Sequence, residues 1–128
     1  MRWIVDAMNV IGSRPDGWWR DRHAAMQRLT RQLEIWAGTH RDDVTVVFER
    51  PPTPPIESEW VTIAAAPRAH ADSADDEIIR LVRAAERPED ITVVTSDLAL
   101  VDRVRAAGAA THPARGFRSL IEDGRGAG

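Results

Sequence analysis

Three stretches of the chain are apolar without interruption: Trp3-Ile-Val ahead of Asp6, Val44-Thr-Val-Val-Phe ahead of Glu49, and Ile91-Thr-Val-Val ahead of Thr95. Short continuous apolar runs predict strands covered on both faces, the habit of parallel sheets, and not the alternation of a half-exposed strand. Two weaker runs, 60–65 and 109–112, read as a third and a fifth strand. Between them the period changes. Met26, Leu29, Leu33 and Trp36 recur at helical spacing, with Arg28, Arg31 and Glu34 turned away from that face and Gly38 placed where a helix would stop. Further helices are expected over 74–85 and over 98–107, the latter ended by Gly108, and Phe117, Leu120 and Ile121 suit one last amphipathic turn.

Strands alternating with helices predict an α/β fold: one three-layer domain, residues 1–122, built on a mostly parallel five-stranded sheet with helices on both faces. The Gly-Arg-Gly-Ala-Gly end, within 123–128, is expected to be a disordered tail. Residues 50–59 hold four prolines, too many for a helix or an interior strand, and are expected as an extended surface connection. If the crossovers are right-handed, every strand ends at the same edge of the sheet. Asp6, Glu49 and Asp97 then share that edge although they are distant in sequence.

Composition narrows the chemistry. A chain of 128 residues can bury a core without staples, and with no cysteine it can have neither a disulfide framework, nor a thiolate metal site, nor a cysteine nucleophile. The start lacks a basic-then-apolar signal and no apolar run approaches the ~20 residues of a membrane span, so a cytoplasmic protein with no membrane partner is expected. A net charge of −3 argues against coating nucleic acid electrostatically. All 17 cationic side chains are arginines, which suit phosphate through planar, multidentate donors; a GC-rich genome produces the same bias.

Carboxylates carry the candidate chemistry. Burying an ionised Asp6 costs several kcal/mol unless a cation or donors meet it, so Asp6 followed by Asn9 reads either as a ligand site at the sheet edge or as a capped turn. In the helix that opens at Asp72-Ser-Ala-Asp-Asp-Glu, Asp75 precedes Ile78, Ile79 and Val82 by three, four and seven residues and so falls on the inward stripe. Asp76 falls in line with Arg80 and Arg83, where solvated pairs suffice to explain it, and Asp72 or Ser73 is a good N-cap. Asp97 again ends a strand, beside Ser96, whose hydroxyl can orient a carboxylate or a water; its plain alternative is an N-cap. Asp102 lies about 140° further round that helix, on a rim at best, or paired with Arg105. Asp6, Asp75 and Asp97 make an all-oxygen set suited to Mg²⁺ or Mn²⁺, which can activate water against a phosphodiester. None of His23, His40, His70 and His112 sits in a recognisable hydrolase triad. Trp18 and Trp19, beside Arg20 and Arg22, are candidates to stack unpaired bases, with one of the pair expected to be buried and the other near the rim of the site.

Val5-Asp-Ala-Met-Asn-Val-Ile-Gly, Val46-Val-Phe-Glu, Ala74-Asp-Asp-Glu-Ile and Val93-Val-Thr-Ser-Asp, in this order and spacing, resemble the NYN domain of the PIN-like nuclease superfamily, in particular its YacP-like bacterial branch. The resemblance implies a metal-dependent ribonuclease acting on RNA, with the family acids on Asp6, Asp75 and Asp97, Asn9 as companion and Asp102 as a fourth acid. The chain departs from the pattern at Ala7-Met8 and at Glu49, where the family commonly has Asp. The alternative is an inactive module of the same fold that binds RNA or docks on translation or RNA-decay machinery. A small-molecule phosphatase is the third reading; the chain lacks a glycine-rich phosphate loop and a second Asp two residues after Asp6.

Overall fold

A computed structural model describes residues 1–67 and 73–123 of the chain. The three continuous apolar runs and the two weaker ones each form a strand: β1 (Arg2–Asp6), β2 (Asp43–Phe48), β3 (Thr62–Ala65), β4 (Ile91–Val94) and β5 (Ala110–His112). All five are parallel, in the order β3-β2-β1-β4-β5, with β1 at the centre. The helices are α1 (Ala7–Ile11), α2 (Arg22–His40), α3 (Ser73–Ala84), α4 (Leu98–Ala106) and α5 (Ala114–Asp123).

Alternate residues of each strand feed two separate cores. Val5, Val46, Phe48 and Val94 pack with Val10 of α1, Leu29, Leu33 and Trp36 of α2, and Phe117 and Ile121 of α5. Ile4, Val47, Ile91 and Val93 pack on the other side with Ile78, Ile79 and Val82 of α3 and Leu100 and Val104 of α4. Period two in the strands therefore decides which helix layer each side chain meets, and both faces are covered. Trp3, Trp36 and Phe117 close the first core as a cluster with ring centroids 5.2–5.4 Å apart. Phe117→Ala, in a fully buried position, should cost about 3–5 kcal/mol, read from the urea midpoint of unfolding.

Four details differ from the sequence expectations. α2 runs through Gly38, whose open surroundings ask nothing of a glycine, and ends at His40 with Arg41 in the left-handed region at φ 57°. The chain turns straight from β1 into α1, an element not expected. The last amphipathic turn is a ten-residue helix that buries Phe117 and Ile121 but leaves Leu120 exposed. The third strand starts at Thr62, leaving Trp60 outside it and 67% exposed. The 50–59 connection contains neither helix nor strand, and its one buried side chain is Ile56. Among the described residues no helix is long and apolar enough to cross a membrane. Residues 68–72, which include His70 and Asp72, and residues 124–128, where a disordered tail is expected, lie outside the described residues.

Candidate active site

The chain leaves β1 toward β2 and leaves β4 toward β5, so the connections diverge at the carboxyl ends of these two neighbouring strands. In open parallel sheets the divergence leaves a crevice where ligands bind. Asp6 stands at that end of β1, Glu49 just beyond β2 and Asp97 three residues beyond β4. α3 flanks the crevice and contributes Asp75 from its first turn, held close by Ser73, whose hydroxyl donates to the Glu49 carbonyl at 2.9 Å. The result is a cleft of about 290 Å³ lined by Asp6, Asn9, Glu49, Asp75 and Asp97, together with Met8 and the start of α3.

Asp6 is nearly buried, at 6% exposure. It shares a strand face with Ile4, and extending the Ile4–Val93 pairing by two residues sets Thr95 beside it. Thr95 Oγ1 donates to Asp6 Oδ2 at 2.9 Å and accepts from the Asp97 backbone N–H at 3.2 Å. Burial pushes the Asp6 carboxyl up to about 6 and the charges of Asp75 and Asp97 add to the rise, against the opposing bonds from Thr95 and the Asn9 backbone. Asp6 and Asp97 have no arginine or histidine ion-pair partner among the described residues.

Asp97 is the N-cap of α4 and also faces the cleft. Its Oδ1 accepts from the backbone N–H groups of Ala99 and Leu100, capping α4, while the side chain lines the cleft. Asn9 Oδ1 accepts from the Ser96 backbone N–H at 2.8 Å, which ties α1 to the β4–α4 connection. The Ser96 hydroxyl points elsewhere, accepting from the Ala114 N–H at the start of α5. Thr95, which sequence reasoning passed over, is the hydroxyl in contact with Asp6.

Asp76 is exposed as expected but pairs with Arg103 of α4 at 3.1 Å, because Glu77 takes Arg80. Asp102 is exposed and outside the cleft lining, and Arg105 reaches Thr111 instead of pairing with it. Trp18 is half-buried against the first core with the Arg22 guanidinium 5.3 Å above its ring, while Trp19 is 50% exposed; neither lines the acidic cleft, and Arg20 is exposed beside them. His23, His40 and His112 each meet a backbone carbonyl, of Pro54, Trp36 and Pro113 respectively.

The donor set is oxygen only, one member is a desolvated carboxylate among like charges, and this fits a hard divalent cation. Among the described residues no three acids close into a ready-made cage. Mg²⁺, which keeps several waters and takes one or two carboxylates directly, does not require such a cage.

A family model described as the YacP-like NYN domain matches residues 3–126. Two solved structures share the fold, both of Rae1 (YacP) from Bacillus subtilis. One is 20% identical with a TM-score of 0.76, covering 99% of this chain and 78% of that one. The other, a tryptophan-to-leucine mutant, is 22% identical with a TM-score of 0.75, covering 95% and 74%. No curated relative matches the chain in sequence.

Proposed function

Since the chain belongs to the YacP-like NYN domain family, we propose that it is a divalent-metal-dependent endoribonuclease that hydrolyses RNA phosphodiester bonds, with Asp6, Asp75 and Asp97 holding Mg²⁺ or Mn²⁺. The observation that carries this reading is the convergence of these three acids, from three separate stretches of sequence, on one cleft at the divergence of β1 and β4. A divalent ion bound there supplies Lewis acidity toward the phosphate and a water of lowered pKa.

The chain's own residues supply the positioning. Thr95 fixes the Asp6 carboxylate and, through its bond from the Asp97 N–H, sets the start of α4 relative to it. Asn9 locks α1 to the same connection, so the acids are held by a rigid junction of three elements. Asp97 is fixed by the helix it caps. Asp102 has no part in this arrangement. The open spacing of the acids supports one alternative, a module that binds RNA or protein without cutting.

Purified protein should cut single-stranded RNA with Mn²⁺, stop with EDTA and resume when excess Mn²⁺ is added. Cutting undiminished by EDTA overturns the metal-dependent reading, and binding without metal-dependent cutting favours the noncatalytic module. Thr95→Val should slow cleavage about 10–100-fold, the usual cost of losing an outer partner of a metal ligand, and Thr95→Ser should restore most of it because the hydroxyl, not the methyl, does the positioning. Equal rates for the valine and serine variants would contradict that role.

A further inference from the structure

A second hollow lies beside the acidic cleft, and the reaction proposed above leaves it unused. It encloses about 400 Å³ between the first turns of α2, the end of β2 and the proline-rich connection. Met8 and Glu49 line both spaces, so the two adjoin across a common wall. The hollow's surface is about half apolar, with Met8, Met26, Pro51 and Pro52 over the buried Phe48. Arg22 and Arg50 also line it, the first paired with Glu49 at 3.4 Å. The wall of prolines has restricted freedom to collapse, and the His23 ring nitrogen, 2.7 Å from the Pro54 carbonyl, ties it to α2.

Resting on the nuclease reading, we propose that this hollow receives one unpaired base of the RNA, on the nucleotide next to the phosphodiester held in the acidic cleft. An RNA strand lying in the cleft must continue beyond it, and the shared wall of Met8 and Glu49 makes the hollow the adjoining space. The volume is within the range of small-ligand sites, and the thioether and prolyl surfaces of Met8, Met26, Pro51 and Pro52 suit the uncharged face of a base. Glu49 repels a phosphate from the shared wall, whereas Arg22 and Arg50 attract the phosphate of the next nucleotide. A base still paired in a helix cannot enter, because its faces and edges are engaged. The substrate class is therefore single-stranded RNA with one base splayed out, and the proline-rich connection is part of the binding surface.

The test uses short single-stranded oligoribonucleotides in which one abasic ribose is moved along the sequence, read by Mn²⁺-dependent cleavage and by fluorescence anisotropy binding in EDTA. An abasic ribose at one position beside the cut bond should weaken both about tenfold or more, the lower part of the range for losing a base contact, while other positions change them less than about threefold. Met26→Trp, which fills the hollow, should bind the intact oligonucleotide about as weakly as the parent binds the abasic one and should no longer sense the missing base. Equal sensitivity at every position, or full sensitivity retained in a folded Met26→Trp protein, overturns the proposal. The abasic series on the unaltered protein decides the matter even where that variant misfolds. Base-dependent binding without metal-dependent cutting keeps the hollow and overturns the nuclease reading; cutting with no base dependence does the reverse.

Discussion

Asp75→Asn should lower Mn²⁺-dependent RNA cleavage by about 10²-fold or more, while Asp76→Asn keeps it within about threefold. The two residues are neighbours in sequence but about 100° apart around α3. Asp75 lines the cleft with Asp6 and Asp97; Asp76 is exposed and pairs with Arg103 across the helix surface. Stabilising charge at a reacting phosphate is worth several kcal/mol, and each ~1.4 kcal/mol is a decade in rate, whereas an exposed pair is worth about 0–1 kcal/mol. Melting temperatures should separate the variants a second way. Asp75→Asn should lose the rise in melting temperature that Mn²⁺ gives the parent, whereas Asp76→Asn should keep it. The reverse pattern, with Asp76→Asn inactive and Asp75→Asn responsive, would place the site on the other face of α3.

The second large effect is on stability against pH. Asp6 has its carboxyl raised from 3.8 to about 6, chiefly by burial. Between those values the folded chain still holds a proton that the unfolded chain has released, so raising the pH through this window takes stability away. The loss is on the order of 3 kcal/mol, complete above about pH 6 and absent below about pH 4. Other carboxylates act the opposite way: Asp16, held down by its hydrogen bond from Arg118, and Glu77, held down by that from Arg80, lose stability as the pH falls. Subtracting the Asp6→Asn curve from the parent isolates the Asp6 contribution. Urea unfolding of the metal-free proteins should show Asp6→Asn the more stable at pH 7, with the advantage shrinking as the pH drops from about 6 to about 4. An advantage independent of pH would show that Asp6 ionisation does not carry it.

The middle of the sheet was readable because β1, β2 and β4 are nearly unbroken apolar runs, which strands covered on both faces tolerate, whereas the edge strands β3 and β5 gave only weaker runs. The small helix α1 was not, since Asp6-Ala-Met-Asn reads equally as a turn; its role is tertiary, setting Asn9 against the Ser96 backbone. Gly38 misled because α2 keeps packing through Ala37, and His40 stacks on Trp36 at 4.4 Å. At the site, helix phase was enough to separate Asp75 from Asp76. It was not enough to choose between Thr95 and Ser96, because that choice depends on β4 lying against β1 in a particular register. With the register known, Thr95 falls beside Asp6 and Ser96 on the opposite side. The base hollow had no local signal at all: its proline wall is placed by the contact of His23 with Pro54, 31 residues away.

Manganese binding followed by electron paramagnetic resonance tests the central claim most directly, since it reads the acidic cleft without requiring RNA or turnover. The parent should bind Mn²⁺, and Asp6→Asn, Asp75→Asn and Asp97→Asn should each weaken binding about tenfold or more, with Asp97→Asn still folded because asparagine caps a helix as well as aspartate does. Asp76→Asn and Asp102→Asn, outside the cleft, should bind as the parent does. Parent-like binding by all three cleft variants would contradict the account.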